Sequence, residues 1–218
     1  MKRLKMSLAI SFSLLIGVRA FYRFYFLRDP IREIPNDNQV FVSPANGKII
    51  AIIKQDGLKD RKTELYKKNR KVINDRTEGF SSGATLISIM MTPLDAHYQK
   101  APMQATMLSE EYMKGRFWNA MRSNKTMKST FQNEYHSMLF ETPEKYQFRV
   151  IQIAGFVARR IVDFLDPWQA VQQGEKIWLI KLWSQVSIVL DQNFEITAKV
   201  GDKVIDGETV LAKKKQTR

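Results

Sequence analysis

Cysteine is absent from this chain, and its 218 residues include only two histidines, His97 and His136. The first absence excludes disulfides, thiolate nucleophiles and Cys-ligated metal, and the second leaves no histidine cluster with zinc-site spacing. Neither a metal nor a nucleotide cofactor is expected. A long uninterrupted apolar run is also missing. The stretch Met6 to Val18 falls short of the ~20 residues that span a bilayer, and extending it to Leu27 takes in Arg19 and Arg23. Any chemistry must come from serine, lysine, carboxylates, His97 or a group made from the chain itself. At this length, with 44% apolar residues, one domain with a sizeable core is expected.

The net charge of +13 implies an anionic partner without distinguishing nucleic acid from an acidic membrane. Position is more informative. Lys2, Arg3 and Lys5 precede the apolar stretch, and Arg19, Arg23, Arg28 and Arg32 follow it among Phe21, Tyr22, Phe24, Tyr25 and Phe26. Rings interleaved with arginine resemble a membrane-interface belt, in which cationic side chains snorkel to phosphate. Residues 1–27 are therefore read as an apolar helix anchoring in the membrane plane. A cleaved secretory signal and a core-facing aromatic stripe are the competing readings.

From Val40 onward the pattern is of short strands and turns. Residues 41–53 read as strand, turn and strand around Pro44 and Asn46-Gly47, residues 85–91 as a buried strand ending at Thr92-Pro93, and residues 147–157 as an alternating strand that becomes continuously apolar. Along residues 180–188, Ser184 shares its face with Leu182, Val186 and Ile188, and Trp183 points the other way. Helix is expected mainly over 158–164 and parts of 112–131. The fold class is mainly β, a β-rich α+β single domain of short strands over residues 28–218.

Two stretches break the pattern. Residues 54–76 carry nine Lys/Arg and read as a solvated loop, with a lipid-facing basic surface as the alternative. Residues 114–135, polar apart from residues such as Phe117 and Trp118, read as a long functional loop. In the tail, Gly201-Asp202 and Asp206-Gly207 look like hairpin turns between apolar strands, similar to biotinyl and lipoyl carrier modules. The modifiable lysine motif of those carriers is missing, so a structural barrel-sandwich element is expected.

Five ordered motifs, FLRDPIREIP (26–35), SPANGKI (43–49), TPLDAHYQKAP (92–102), IQIAGFVARRI (151–161) and LIKLWSQV (179–186), resemble the short, archaeal-type phosphatidylserine decarboxylases. The resemblance implies a phosphatidylserine decarboxylase-like domain whose cofactor is a pyruvoyl group derived from Ser184 by cleavage of the preceding bond. That ketone condenses with the amine of phosphatidylserine, takes up the electrons released with CO2, and yields phosphatidylethanolamine. It further implies roles for His97 in protonation, for Asp95 in orienting the ring or capping the turn, and for Phe117, Trp118, Asn119, Arg159 and Arg160 near the substrate. On its own sequence signal, His97 reads first as a half-buried histidine bonded to backbone after a strand end.

The chain departs from the family pattern at the self-cleavage site. Trp183 stands where glycine precedes the serine, Asn46 where an aspartate is associated with activating cleavage, Lys100 where longer relatives have a second histidine, and Trp178 where glycine is common. Three functions remain in view: a working decarboxylase at the cytoplasmic face of an anionic phospholipid membrane, a non-cleaving member that binds phospholipid or a partner enzyme, and a basic scaffold supported only by charge. No nucleic-acid motif favours the last, and a homodimer is compatible with the first two.

Overall fold

The computed structural model of the chain describes residues 2–54, 77, 79–80, 83–116, 130, 132–155, 161–163, 165–180 and 184–215. A helix, α1 (Lys2–Ala20), runs into a π-helical turn, Phe21–Phe26. No helix among the described residues is long and apolar enough to cross a membrane. Phe12, Leu14, Leu15 and Phe24 are exposed, whereas Phe26 is fully buried. The aromatic run is thus an outward-facing belt with a single inward anchor.

The body is built from antiparallel strands. β1 (Val40–Val42) pairs with β14 (Val210–Lys214), which also pairs with β12 (Phe194–Ile196). β10 (Lys176–Ile180) lies between β4 (Tyr98–Lys100) and β8 (Ile161–Asp163). The largest sheet has eight strands in the order β13 (Lys203–Val204), β2 (Gly47–Lys54), β3 (Thr85–Met90), β11 (Gln185–Leu190), β7 (Gln147–Ile153), β6 (Tyr135–Glu141), β5 (Ala105–Met113) and β9 (Ala170–Val171). The β-rich expectation agrees with this architecture.

Both faces of the central strands are covered, and the two-residue period of a strand divides their side chains between two clusters. Ile87, Ile89, Val186, Ile188 and Val150 join the main core with Phe41, Phe140, Phe148 and Trp178. Leu86, Val189, Ile151 and Ile153 join a smaller cluster on the opposite face. Each such side chain contributes about 1.5–3 kcal/mol by leaving water, which locks the register.

Two local expectations are corrected. Ile161–Asp163 is a strand, because its backbone is recruited by Trp178–Ile180, and Tyr112–Met113 ends a strand paired with Tyr135–His136. Residues 41–53 are strand, turn and strand as read, with the two strands paired elsewhere, β1 with β14 and β2 with β3 and β13. The segments around Asp206-Gly207 likewise pair elsewhere, β13 with β2 and β14 with β1 and β12. Local turn signals located the bends, but long-range pairing chose the partners.

Candidate active site

Several separate segments meet at one end of the large sheet. The register aligns Lys48 with Met90, Met90 with Gln185, and Gln185 with Ile153, so Gly47, Met91, Ser184 and Ala154 flank that row. Gly47 adopts φ +145°, and a Cβ there would lie 2.2 Å from the Met90 carbonyl oxygen. Only glycine allows this approach. Asn133 Nδ2 donates to the Ala154 carbonyl at 2.7 Å, and the Glu134 N–H donates to Arg116 O at 3.0 Å. The ends of the 114–135 loop are thereby tied to the same region.

Ser184 is fully buried. Its carbonyl accepts from the Met91 N–H at 3.1 Å, and its hydroxyl lies 3.5 Å from the Met91 thioether, a weak acceptor. Met91 sulfur is also 3.8 Å from Gln99 Nε2, which donates to the His97 carbonyl at 2.7 Å. Ser184 and His97 thus converge on one Met91–Gln99 pair. Gln152 donates to Gln99 Oε1 at 2.7 Å and extends this buried polar group.

His97 is fully buried, with Nδ1 2.8 Å from the Asp95 carbonyl. A carbonyl only accepts, so Nδ1 carries the proton and Nε2 keeps its lone pair. Nε2 is buried and has no hydrogen-bond partner among the described residues. Burial lowers the imidazole to about 4 against partial opposition from the Asp95 carbonyl and carboxylate, with a smaller lowering contribution from Arg28. The ring is therefore neutral at physiological pH. Asp95 itself caps the turn, its carboxylate accepting from the Thr92 N–H at 2.7 Å and hydroxyl at 2.8 Å. The two contacts of this residue run through different atoms, the carbonyl to the ring and the carboxylate to the turn.

Asn46 is buried, and its amide donates to the Ala96 carbonyl at 3.1 Å and to the carboxylate of Asp206. Its oxygen accepts from Arg32 at 3.1 Å and from the Asp206 N–H at 3.3 Å. Asp206 pairs with Arg32 through Nε at 3.0 Å and a terminal nitrogen at 2.5 Å. Sequence reasoning missed Phe26, Gln99, Gln152 and Asp206. Gln152, a polar residue embedded in apolar 150–154, carried a visible signal; the others depended on tertiary contacts.

Lys100 is buried 3.5 Å from Asp29 and makes an ion pair there. Trp178 belongs to the core, its ring 6.1 Å from that of Phe140. His136 pairs with Glu110 at 3.0 Å. Trp183, Phe117, Trp118, Asn119, Arg159, Arg160 and the basic stretch 55–76 lie outside the described residues. Among the described residues no cluster of three or more metal-ligating side chains occurs.

A family model described as phosphatidylserine decarboxylase matches residues 20–212. A Methanothermobacter thermautotrophicus protein assigned as an archaetidylserine decarboxylase proenzyme is 35% identical over 202 residues, covering 91% of this chain and 85% of its own. Phosphatidylserine decarboxylase proenzymes of Pelagibacter ubique and Chlorobaculum parvum are 35% and 32% identical over 92% and 91% of this chain, and 84% and 81% of their own lengths.

Proposed function

The chain belongs to the phosphatidylserine decarboxylase family, and on that footing we propose that it cleaves itself before Ser184 and then converts phosphatidylserine to phosphatidylethanolamine. The observation that supports this reading is the orphaned, unprotonated Nε2 of buried His97, whose backbone carbonyl accepts from Gln99 in the polar group that Ser184 joins through Met91. A buried acceptor left without a donor costs about 1–3 kcal/mol, and a reaction that needs a base there explains why it is kept.

In processing, the Ser184 hydroxyl attacks the carbonyl carbon of Trp183 and its proton passes to His97 Nε2. The Trp183–Ser184 C–N bond breaks as the Ser184 nitrogen regains a proton, leaving an ester. Loss of the Ser184 Cα proton then expels Trp183 as a carboxylate. Water hydrolyses the resulting dehydroalanine end, releasing ammonia and leaving a pyruvoyl cap on residues 184–218.

The surroundings fit such a group. Among the described residues the Ser184 hydroxyl meets the Met91 thioether, and Met91 and the adjoining Gln99 are uncharged. When formed, the pyruvoyl carbonyl accepts the electron pair released with CO2. His97, held by the Asp95 carbonyl, delivers the proton to the substrate carbon. Contact with the headgroup is assigned to Phe117, Trp118, Asn119, Arg159 and Arg160 on the family resemblance. Exposed Phe24, Tyr25 and the adjacent arginines hold the protein at the cytoplasmic face of an anionic membrane.

CO2 release from phosphatidylserine vesicles tests the reaction: the unmodified protein turns over, and Ser184→Ala is inert. Inactivity of both would favour the second reading, a non-cleaving phospholipid-binding member. That alternative draws on Trp183 and Asn46, which stand where the family pattern has glycine and aspartate.

A further inference from the structure

Asp206 is 1% exposed, at the turn between β13 and β14, yet its partners are all near the candidate site. Asn46 stands between it and the catalytic turn, holding the Asp206 carboxylate with the same amide nitrogen that holds the Ala96 carbonyl, one residue before His97. Residue 46 also precedes Gly47, which packs on the Met90 carbonyl beside Met91 and Ser184. Arg32 reaches both side chains, at 2.5 Å to Asp206 and 3.1 Å to Asn46.

We propose that Asp206 is a positioning residue for processing, supplying the carboxylate of this site from the far end of the chain. This inference rests on the reading that the chain cleaves before Ser184. Two physical consequences follow from its placement. Its charge offsets that of half-buried Arg32, which also holds the Asn46 oxygen. Its hydrogen bond also fixes which way the Asn46 amide faces, since the nitrogen must point toward the carboxylate and Ala96 O while the oxygen points toward Arg32 and the Asp206 N–H.

Because Arg32 contacts both positions, a carboxylate moved to position 46 keeps its ion pair beside an amide at 206, losing only the donor to the Ala96 carbonyl. The test follows self-cleavage by mass spectrometry for the unmodified chain, Asp206→Asn, and the double variant Asn46→Asp with Asp206→Asn. Thermal melts establish which variants fold. Asp206→Asn is expected to remain intact over the time in which the unmodified chain is fully cut, and the exchange variant to be cut again. Rescue by exchange separates this role from generic loss of a buried ion pair. Cleavage of Asp206→Asn at the unmodified rate overturns the proposal. If Asp206→Asn does not fold, the exchange variant decides alone: folded and cut supports the proposal, whereas uncut or unfolded overturns it. An unmodified chain that is never cut overturns the processing reading itself, and this inference with it.

Discussion

The ring of Phe26 lies tilted against that of His97, with centroids 3.9 Å apart and planes inclined by 32°. Phe26 ends the π-helical turn that continues the N-terminal helix. The same residue therefore closes the anchor and keeps water from the histidine. Phe26→Ala is expected to hydrate the ring and raise its pKa from about 4 toward 6.5, measured by NMR titration of the imidazole. Stability should fall by about 3 kcal/mol from the vacated volume. An unchanged His97 titration would mean that other groups exclude water.

His97 also gives stability a defined pH dependence. Its folded pKa is lowered to about 4 from the ordinary 6.5, so between those values the unfolded chain binds the proton more readily. Its contribution favours folding more as pH rises from 4 to 6.5 and levels off above; at or below pH 4 the penalty is roughly 3 kcal/mol. Replacing His97 by Gln should flatten this part of the pH profile in denaturant melts. Equal slopes for the two proteins would refute the assignment.

Trp178 is a core residue despite standing where the family resemblance suggests glycine. It is fully buried beside Phe140 and His136. Trp178→Gly is expected to cost about 3–5 kcal/mol in equilibrium unfolding. A neutral result would show that the surrounding core collapses around the loss.

Membrane attachment should depend on the outward rings rather than on Phe26. Phe24 is 80% exposed, and Phe24→Glu is expected to weaken binding to anionic vesicles about tenfold, as expected for losing one inserted aromatic side chain. The readout is co-sedimentation with vesicles at fixed salt. Undiminished binding would shift the attachment to the basic surface alone.

Much of the sheet was legible because strand periodicity is a local signal. Ser184, Val186 and Ile188 are all buried, with Val186 and Ile188 in the main core and Val189 in the opposite cluster, as two-residue alternation requires. His97 and Ser184 were visible as motif residues, but the chain of contacts from Ser184 through Met91 and Gln99 to the His97 carbonyl was not. Asp206 was hidden for a different reason. It bonds to a residue 160 positions away, and its own neighbourhood, Ile205 to Glu208, read simply as a turn. Ile161–Asp163 was misread because a three-residue strand has too little periodicity to compete with a helical reading, and only its pairing with Trp178–Ile180 defines it.

Asn46→Asp alone is not expected to improve the site. It places a second carboxylate against Asp206 where an amide now donates, with Arg32 shared between them. Like charges at this separation force one carboxyl to titrate well above its usual range. The variant should therefore melt at lower temperature than the unmodified protein at pH 7, and recover relative to it at pH 4. A melting temperature unchanged at both pH values would argue that the two side chains separate freely.

Intact mass spectrometry of the purified protein tests self-cleavage most directly. The account predicts two fragments, one ending at Trp183 and one spanning Ser184 to Arg218 with a pyruvoyl end that reacts with a carbonyl probe, and a single uncut chain for Ser184→Ala. An unmodified protein that retains its full mass, with no carbonyl-reactive end, would contradict it.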